Sequence, residues 1–527
     1  MKIPYNCVHA RGDVLFAARG GSIHTLSLLD GSYISTWQHP DVAKVADAMK
    51  EISDAQKVSE AEGSGEHEAQ GTDESASVNA SDAPKERKKK KRQPGKGETA
   101  GRKHQVARVP DRPVITLLTS TTDGQHILAV SGHDKVIWVF KHDGQGGLSL
   151  LNQRTMPKRP CAIAIAADEQ IICADKFGDV YALPLIMTER SSSVTGASAA
   201  STPAPAQKPS GLAANTFTVH SQRNLEALEN QRKQLELQRQ KAIEKADGKE
   251  EGPDFDLTLL LGHVSMLTSL VLAESDGRRY IITSDRDEHI RVSRYMPQAH
   301  VIEGFCLGHK EFVSEVAIPA ARGDILISGG GDEELFAWDW KEGKLLSKTS
   351  VLSIAQEIAP DTSKVAVTGI CSLNYPSEAG DLTYILAICE QIKAIFSWQL
   401  TPDNILNRPG VIQLPANPLQ LAVAAPDADG NALPKIIVAA DPGHTSGVKS
   451  LQMFALTMSE DRLAVAKELP LHDEQPESGV VEASEKEIHN LLYTIENLRK
   501  QSGGTGGEAG EDEPEAEVDA GVPATDS

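Results

Sequence analysis

Along most of this chain, apolar residues come in short runs of strand length, broken by glycine, aspartate or asparagine. Val14 to Leu28 turns at Gly20-Gly21, Ile127 to Phe140 at Asp134, and Ile171 to Leu185 around Phe177-Gly178-Asp179. Tyr280 to Thr283, Ile325 to Ser328, Leu382 to Gln399 and Leu419 to Leu456 continue the pattern. Apolar runs this short, bounded by turn formers, predict β-strands. Helical spacing is confined to two places. Arg223 to Lys245 is rich in helix formers and carries a partial heptad at Leu225, Leu228 and Leu235, which Arg232 interrupts. Further on, Ser484 and Glu487 form a capping box, and Ile488, Leu491, Leu492, Ile495 and Leu498 line one face. That stripe must lie on something, the protein's own body or a partner, and the protein's own body is the reading favoured.

Three segments lose the pattern: 41–108, 187–255 and everything from Asp473 onward. In the first, 41–80 carries ten acids against three bases, and 81–105 carries ten bases against three acids. A block of like charge repels itself and buries nothing, so 41–108 is expected to be disordered. Its basic run, Lys85, Arg87, Lys88, Lys89, Lys90, Lys91 and Arg92, has the form of a nuclear import signal and predicts a nuclear protein. The competing reading is a solvated loop whose charge offsets the acidic half before it. In the second segment, Ser191 to Ser210 is rich in Ser, Ala, Thr and Pro and reads as loop. After Lys500 come eight acids and no bases, an end expected to stay unfolded.

The strand-rich remainder repeats. Leu261-Gly262-His263 recurs 46 residues later as Leu307-Gly308-His309. Each is followed by an apolar strand, then a strand ending in a small hydroxyl residue, Thr283 or Ser328, then a turn closing on an aspartate, Asp287 or Asp332. The second unit runs on to Trp338-Asp339. This resembles the WD repeat of β-propeller blades, whose period is about 40–45 residues. The resemblance implies a buried hydrogen-bond chain from histidine to aspartate, hydroxyl and tryptophan: His309, Asp332, Ser328 and Trp338. In the first unit it implies His263, Thr283 and Asp287, with Ser293 in the tryptophan's place and a shorter chain. Buried polar groups must be paired, so such chains fix strand register. Weaker units place Phe140, Leu183 and Trp398 where the tryptophan belongs.

The fold expected is all-β: a seven-bladed WD-repeat β-propeller with two long disordered insertions and a disordered acidic tail. Its blades are expected near 14–38, 113–145, 146–186, 256–300, 301–350, 364–405 and 411–470. As domains this gives blade 1 within 1–40, blades 2 and 3 within 109–186, and blades 4 to 7 within 256–472. The insertions would then leave between blades 1 and 2 and between blades 3 and 4, with 473–500 carrying the amphipathic helix and 501–527 the acidic end.

Composition narrows the chemistry. The formal charge of −21 argues against a protein that grips nucleic acid by itself, because phosphate contacts need a cationic face. No apolar run reaches the roughly 18 residues a membrane helix needs, and Met1 to Ala10 lacks a signal pattern, so neither a membrane nor secretion is expected. The six cysteines are scattered, with no C-x-x-C pair, and read as buried thiols rather than disulfides or a zinc site. The 16 histidines form no H-x-x-x-H motif, and no metal site is expected. Gly329-Gly330-Gly331 lies between two strands, whereas a phosphate-binding loop opens a helix. No catalytic constellation, cofactor or small-molecule substrate is expected.

Some strings are more specific than a generic blade. They are Ala174 to Tyr181 (ADKFGDVY), Leu260 to Leu267 (LLGHVSML), Ile281 to Ser293 (IITSDRDEHIRVS) and Phe305 to Ser314 (FCLGHKEFVS). Together these resemble the WD-repeat non-catalytic subunit of the eukaryotic tRNA (guanine-N7)-methyltransferase, densely over about 170–346 and more thinly elsewhere; the long spacers are similar to a filamentous-fungal version. The resemblance implies a scaffold of a heterodimer that holds a separate catalytic subunit in its active conformation. S-adenosylmethionine would be bound by that subunit alone, and tRNA mainly through it. Arg291 matches the position where a basic side chain pairs with an acidic residue of the catalytic subunit, and it would have to be accessible on the ring's outer contour. Lys176 and Arg286 are further partner-binding candidates, with Lys158-Arg159 nearby. The alternative for Arg291 is an intrablade pair with Glu288 or Asp285. The rival readings of the whole are a cullin ubiquitin ligase substrate receptor, for which Trp338-Asp339-Trp340-Lys341 is one residue away from W-D-x-R, and a generic peptide-binding propeller.

Overall fold

The computed structural model describes residues 2–50, 111–187, 255–377, 380–424, 433–472 and 483–500. These form seven four-stranded antiparallel sheets. Blade 1 runs from β1 (Tyr5–Arg11) to β4 (Tyr33–Gln38), and blade 2 from β5 (Ile115–Ser120) through β6 (His126–Ser131) and β7 (Val136–His142) to β8 (Leu148–Thr155). Blade 3 comprises β9 (Pro160–Ile165), β10 (Gln170–Asp175), β11 (Asp179–Pro184) and β12 (Thr258–Gly262). Blade 4 comprises β13 (Leu267–Ser275), β14 (Arg278–Asp285), β15 (Ile290–Arg294) and β16 (Ile302–Cys306). Blade 5 comprises β17 (Val313–Ala317), β18 (Ile325–Gly330), β19 (Glu334–Asp339) and β20 (Lys344–Ser350). Blades 6 and 7 run from β21 (Val367–Tyr375) to β24 (Leu406–Gln413) and from β25 (Asn417–Ala424) to β28 (Arg462–Leu469). The first strand of each blade touches the first strand of the next, and β25 meets β1 to close the ring.

The core lies between blades. Strands buried on both faces need continuous apolar runs, which is why β6 (HILAVS) and β18 (ILISGG) hardly alternate. One cluster joins blades 4 and 5 through Tyr280, Ile282, Phe336 and Trp338; another joins blades 1 and 2 through Phe16, Ile23, Trp138 and Phe140. Fully burying a side chain of this size contributes about 1.5–3 kcal/mol.

Strand pairing corrects the expected phase of the blades. Thr258–Gly262 pairs with β11 as the outer strand of blade 3, so the unit expected at 256–300 opens with a strand of blade 3 and lacks blade 4's own outer strand, Ile302–Cys306. The sequence repeat starts at Gly-His, and Gly-His ends the outer strand of the preceding blade. The second insertion therefore falls inside blade 3, between β11 and β12, rather than between blades 3 and 4. Residues 41–50 are helical, against the expectation of disorder from 41. Val42, Val45, Ala46 and Met49 follow helical spacing, and Val45 is buried. The basic run at 85–92, the segment 223–245 and the acidic end fall outside the described residues.

All four strands of every blade come from neighbouring stretches of its own chain order, so no strand is exchanged to close the ring. At the seam the Tyr5 amide donates to Ser450 Oγ at 2.7 Å and the Val8 amide to Gln420 Oε1 at 2.7 Å. The His472 amide donates to Gly31 O at 2.8 Å. Gly31 has φ +74°, and an added Cβ would meet Pro470 O at 2.1 Å, so only glycine lets these segments approach.

A strap formed by 483–500 lies across the turns that join second and third strands. Its helix Glu485–Leu492 carries the expected capping box, with Ser484 Oγ accepting from the Glu487 amide. Ile488, Ala483 and Leu492 cluster on Ile3 of blade 1. Tyr493 OH donates to Asp441 Oδ2 at 2.7 Å in blade 7, and the Ile495 and Glu496 amides donate to the Glu390 carboxylate at 3.0 and 2.9 Å in blade 6. Arg499 donates to Gly331 O at 2.8 Å and Val365 O at 2.9 Å. Lys500 pairs with Asp287 at 3.2 Å and Glu288 at 3.1 Å in blade 4.

Candidate partner-binding surface

Three buried hydrogen-bond chains set the register of the blades around this surface. In blade 5, His309 Nδ1 lies 2.7 Å from Asp332 Oδ2 and Nε2 lies 2.7 Å from Ser328 Oγ, which accepts from Trp338 Nε1 at 2.8 Å. All four residues predicted for this chain are brought together. Burial pushes the Asp332 carboxyl up, but the hydrogen bond and charge of His309 outweigh it and hold it below the usual value.

In blade 4, His263 Nε2 meets Thr283 Oγ1 at 2.9 Å, but Nδ1 meets Asp285 Oδ2 at 3.2 Å, not Asp287. Matching the Ser328–Asp332 spacing selects Asp287. The actual turn folds on Asp285, whose Oδ1 accepts from the Asp287 and His289 amides at 2.9 and 3.1 Å. Asp287 is left facing Lys500 of the strap. Ser293 stands opposite Ile281, the register position that Trp338 occupies opposite Leu326.

In blade 2 the tryptophan position belongs to Trp138, not Phe140. Trp138 pairs with Ala129 two residues before Ser131, as Trp338 pairs with Leu326 two residues before Ser328. The turn of blade 2 is shorter, and alignment from the strand's far end therefore slips by two. Trp138 Nε1 donates to Ser131 Oγ at 2.8 Å, Ser131 Oγ to Asp134 Oδ1 at 2.5 Å, and His39 Nε2 lies 3.0 Å from Asp134 Oδ2. Sequence reasoning missed His39 because the long insertion separates it from the strands it serves.

Ser293 is too small to fill the space a tryptophan would take, and Arg291 turns into it. Its Nε donates to Ser293 Oγ at 2.9 Å and its Nη1 to Gly262 O of blade 3 at 3.0 Å. Arg291 is only 8 % exposed, which corrects the expectation of an accessible side chain. Burial lowers its pKa. Neither Glu288 nor Asp285 holds it; its Nη2 has no hydrogen-bond partner among the described residues. It therefore lies in the mouth between blades 3 and 4 rather than on the open rim. Arg286 is half-buried, and its Nε donates to Leu498 O of the strap at 2.9 Å, so it braces the strap rather than the neighbouring aspartates. Lys176 is exposed at the tip of the blade 3 turn.

Phe177 beside it is 64 % exposed and Val264 wholly so. Their loops touch, with the His263 amide donating to Gly178 O at 2.7 Å. Lys158 Nζ lies 4.3 Å from the Phe177 ring centroid. An apolar pair flanked by Lys158 and Lys176, with Arg291 withdrawn behind it at Gly262, has the form of a protein-docking patch for an acidic, partly apolar surface. Burial pushes the thiols of Cys7, Cys161, Cys371 and Cys389 up to about 12, which disfavours the thiolate.

Comparison with known proteins follows the same blades. The family described as tRNA methyltransferase TRM82 WD40 domain matches residues 15–464. A protein of Sclerotinia sclerotiorum named tRNA (guanine-N(7)-)-methyltransferase non-catalytic subunit trm82 is 38 % identical over 95 % of this chain and 98 % of its own length. Proteins of the same name from Aspergillus fumigatus and Coccidioides immitis are 35 % and 34 % identical. They cover 77 % and 94 % of this chain, and 86 % and 96 % of their own.

Proposed function

Because this chain belongs to the TRM82 WD40 family of non-catalytic tRNA (guanine-N7)-methyltransferase subunits, we propose that it acts by holding a separate catalytic chain in its competent conformation. The chain is a non-catalytic subunit serving tRNA modification. The patch at the mouth of blades 3 and 4 receives the catalytic chain in a heterodimer. Phe177 and Val264 supply apolar contact, and Lys176 and Arg291 meet carboxylates. S-adenosylmethionine and the target guanosine belong to the partner, tRNA is engaged mainly through it, and the basic run at 85–92 directs the protein to the nucleus. Neither the ubiquitin-ligase nor the generic peptide-reader reading is favoured.

Family membership carries this reading, and the half-withdrawn Arg291 refines it. A guanidinium already fixed by Ser293 and Gly262 loses little side-chain entropy on binding, and its remaining nitrogen can donate to an arriving carboxylate. A scaffold that binds the competent conformer better than the relaxed one shifts the partner's population toward it.

The test is reconstitution. Mixed with the candidate catalytic chain, the protein gives a 1:1 complex with raised tRNA N7-methylation; alone it neither binds S-adenosylmethionine nor methylates tRNA. Methylation by this chain alone overturns the reading. Lys176→Glu weakens the complex without moving the melting temperature. Complex formation unaffected by both Lys176→Glu and Arg291→Glu at physiological salt removes the patch from the interface.

A further inference from the structure

We propose that His39, Asp41 and His133, oriented by Asp134, form a binding site for one divalent cation of the zinc class at the junction of blades 1 and 2. The four residues come from three places: the end of blade 1, the start of helix 41–50, and the β6–β7 turn. Their ligand atoms lie within 4.8 Å of one another.

Both imidazoles lie beside Asp134, and His39 alone is hydrogen-bonded to it. His39 Nε2 lies 3.0 Å from Asp134 Oδ2, and His133 Nδ1 lies 3.6 Å from Asp134 Oδ1. One carboxylate thus faces the far nitrogen of both rings. Asp134 takes the outer N–H of His39 and leaves the lone pair of His39 Nδ1 turned toward Asp41, whereas His133 Nε2 donates a hydrogen bond to the Asp41 carboxylate. Asp41 Oδ2 lies 3.9 Å from the first and 3.4 Å from the second. Ligand atoms at zinc distances of about 2.0–2.2 Å stand about 3.3 Å apart in a tetrahedron, so the set, spread over as much as 4.8 Å, contracts on binding. A carboxylate that holds the outer N–H of metal-binding histidines is the usual supporting arrangement of such sites.

The structural hydrogen-bond chain does not account for this geometry. In blade 5 the histidine bridges aspartate and serine with its two nitrogens, whereas His39 bonds Asp134 with Nε2 and turns Nδ1 away, toward Asp41. Neither Asp41 nor His133 is needed to connect Asp134, Ser131 and Trp138. His133 Nδ1 is buried and lacks a hydrogen bond within the described structure. What opposes loading is the Asp41 amide, which donates to His39 Nδ1 at 3.1 Å, and Lys44, which holds Asp41 Oδ1 at 2.6 Å. The cation replaces the first of these, displaces the proton of the His133 Nε2–Asp41 Oδ2 hydrogen bond, and leaves the contact with Lys44 intact. Two neutral imidazoles and one carboxylate favour zinc over magnesium or calcium, with water completing the tetrahedron.

The full chain, stripped with a chelator and desalted, is titrated with Zn²⁺ against a chromophoric competitor. Wild type takes up one equivalent that His133→Gln and Asp41→Asn each bind at least about tenfold more weakly. Both variants keep the wild-type melting temperature in chelator, and only wild type is stabilised by Zn²⁺. Uptake identical in all three proteins, or none in wild type, overturns the site. If a variant misfolds, the zinc-edge absorption spectrum of loaded wild type decides: a shell of nitrogen and oxygen with two imidazoles supports the proposal, and sulfur in the shell overturns it.

Discussion

His309 illustrates how much one buried side chain fixes. Its two nitrogens join Asp332 and Ser328, and Ser328 in turn accepts from Trp338. Trp338→Phe keeps the ring stacked on Phe336 and removes only the N–H donor, for an expected loss of about 1 kcal/mol. His309→Ala strands a buried carboxylate and costs more, about 1–3 kcal/mol; urea titration of the two variants should rank them so. Glu315 carries the opposite electrostatic sign. On inner strand β17 it accepts from Ser269 Oγ at 3.3 Å, and burial pushes its carboxyl up to about 8. An acid whose folded pKa is raised binds protons more tightly folded than unfolded. Its stabilising effect is therefore complete below the unfolded value of 4.5 and is lost as pH rises toward about 8. Glu315→Gln should accordingly raise the melting temperature at pH 8 by more than at pH 5. The chain of His309 was legible because its four members lie within one compact motif. Asp285 and Trp138 were not, because turn length varies while register is conserved in space, and spacing along the chain reports the former.

At the level of the element, the strap is the part whose existence could be read and whose path could not. The capping box and the Ile488 stripe announce a helix that lies on something. The chain beyond it is steered by carboxylates spread over blades 4, 6 and 7, Asp287, Glu390 and Asp441, and by the backbone carbonyls of Gly331 and Val365, contacts that no local sequence spacing announces. Ile488→Ala empties a site on Ile3 and should cost about 2 kcal/mol in denaturant unfolding. Arg499→Ala removes a guanidinium bonded to two carbonyls and should loosen the 3₁₀ turn Glu496–Leu498 while leaving Glu485–Leu492 protected, as amide exchange resolved by segment would report. Because Arg286 donates to Leu498, the same variant should also raise exchange in the β14–β15 turn. The helix at 41–50 was hidden for a different reason: its acidic neighbourhood dominates a charge count, yet four apolar residues at helical spacing suffice to seat about two turns against the body.

For the whole molecule, the seven blades were readable from the apolar runs and their turns, with two Gly-His units as guide, and the phase was not. Each sequence unit straddles two blades, so a reading by units assigns the outer strand one blade too late. The same offset puts Arg291 and its acceptor Gly262 on different blades. Arg291→Lys should therefore preserve folding, lose the contact across blades 3 and 4, and weaken partner capture in a binding assay. Arg291→Glu should lower the melting temperature as well, because two hydrogen bonds worth about 1 kcal/mol each go with it. The cation cluster was equally invisible in one dimension: His39-x-Asp41 and His133-Asp134 match no ligand motif until the ring brings them together.

The placement of the second insertion inside blade 3 has a consequence for covalent integrity. A single cut between β11 and β12 would divide the polypeptide into a front piece ending in three strands and a rear piece beginning with the fourth. The two pieces would remain joined by the ladder from Asp179 opposite Gly262 to Ala182 opposite Thr258. Such a cleaved protein would close its circle by strand sharing after all, and the shared rung would be the one whose carbonyl grips Arg291.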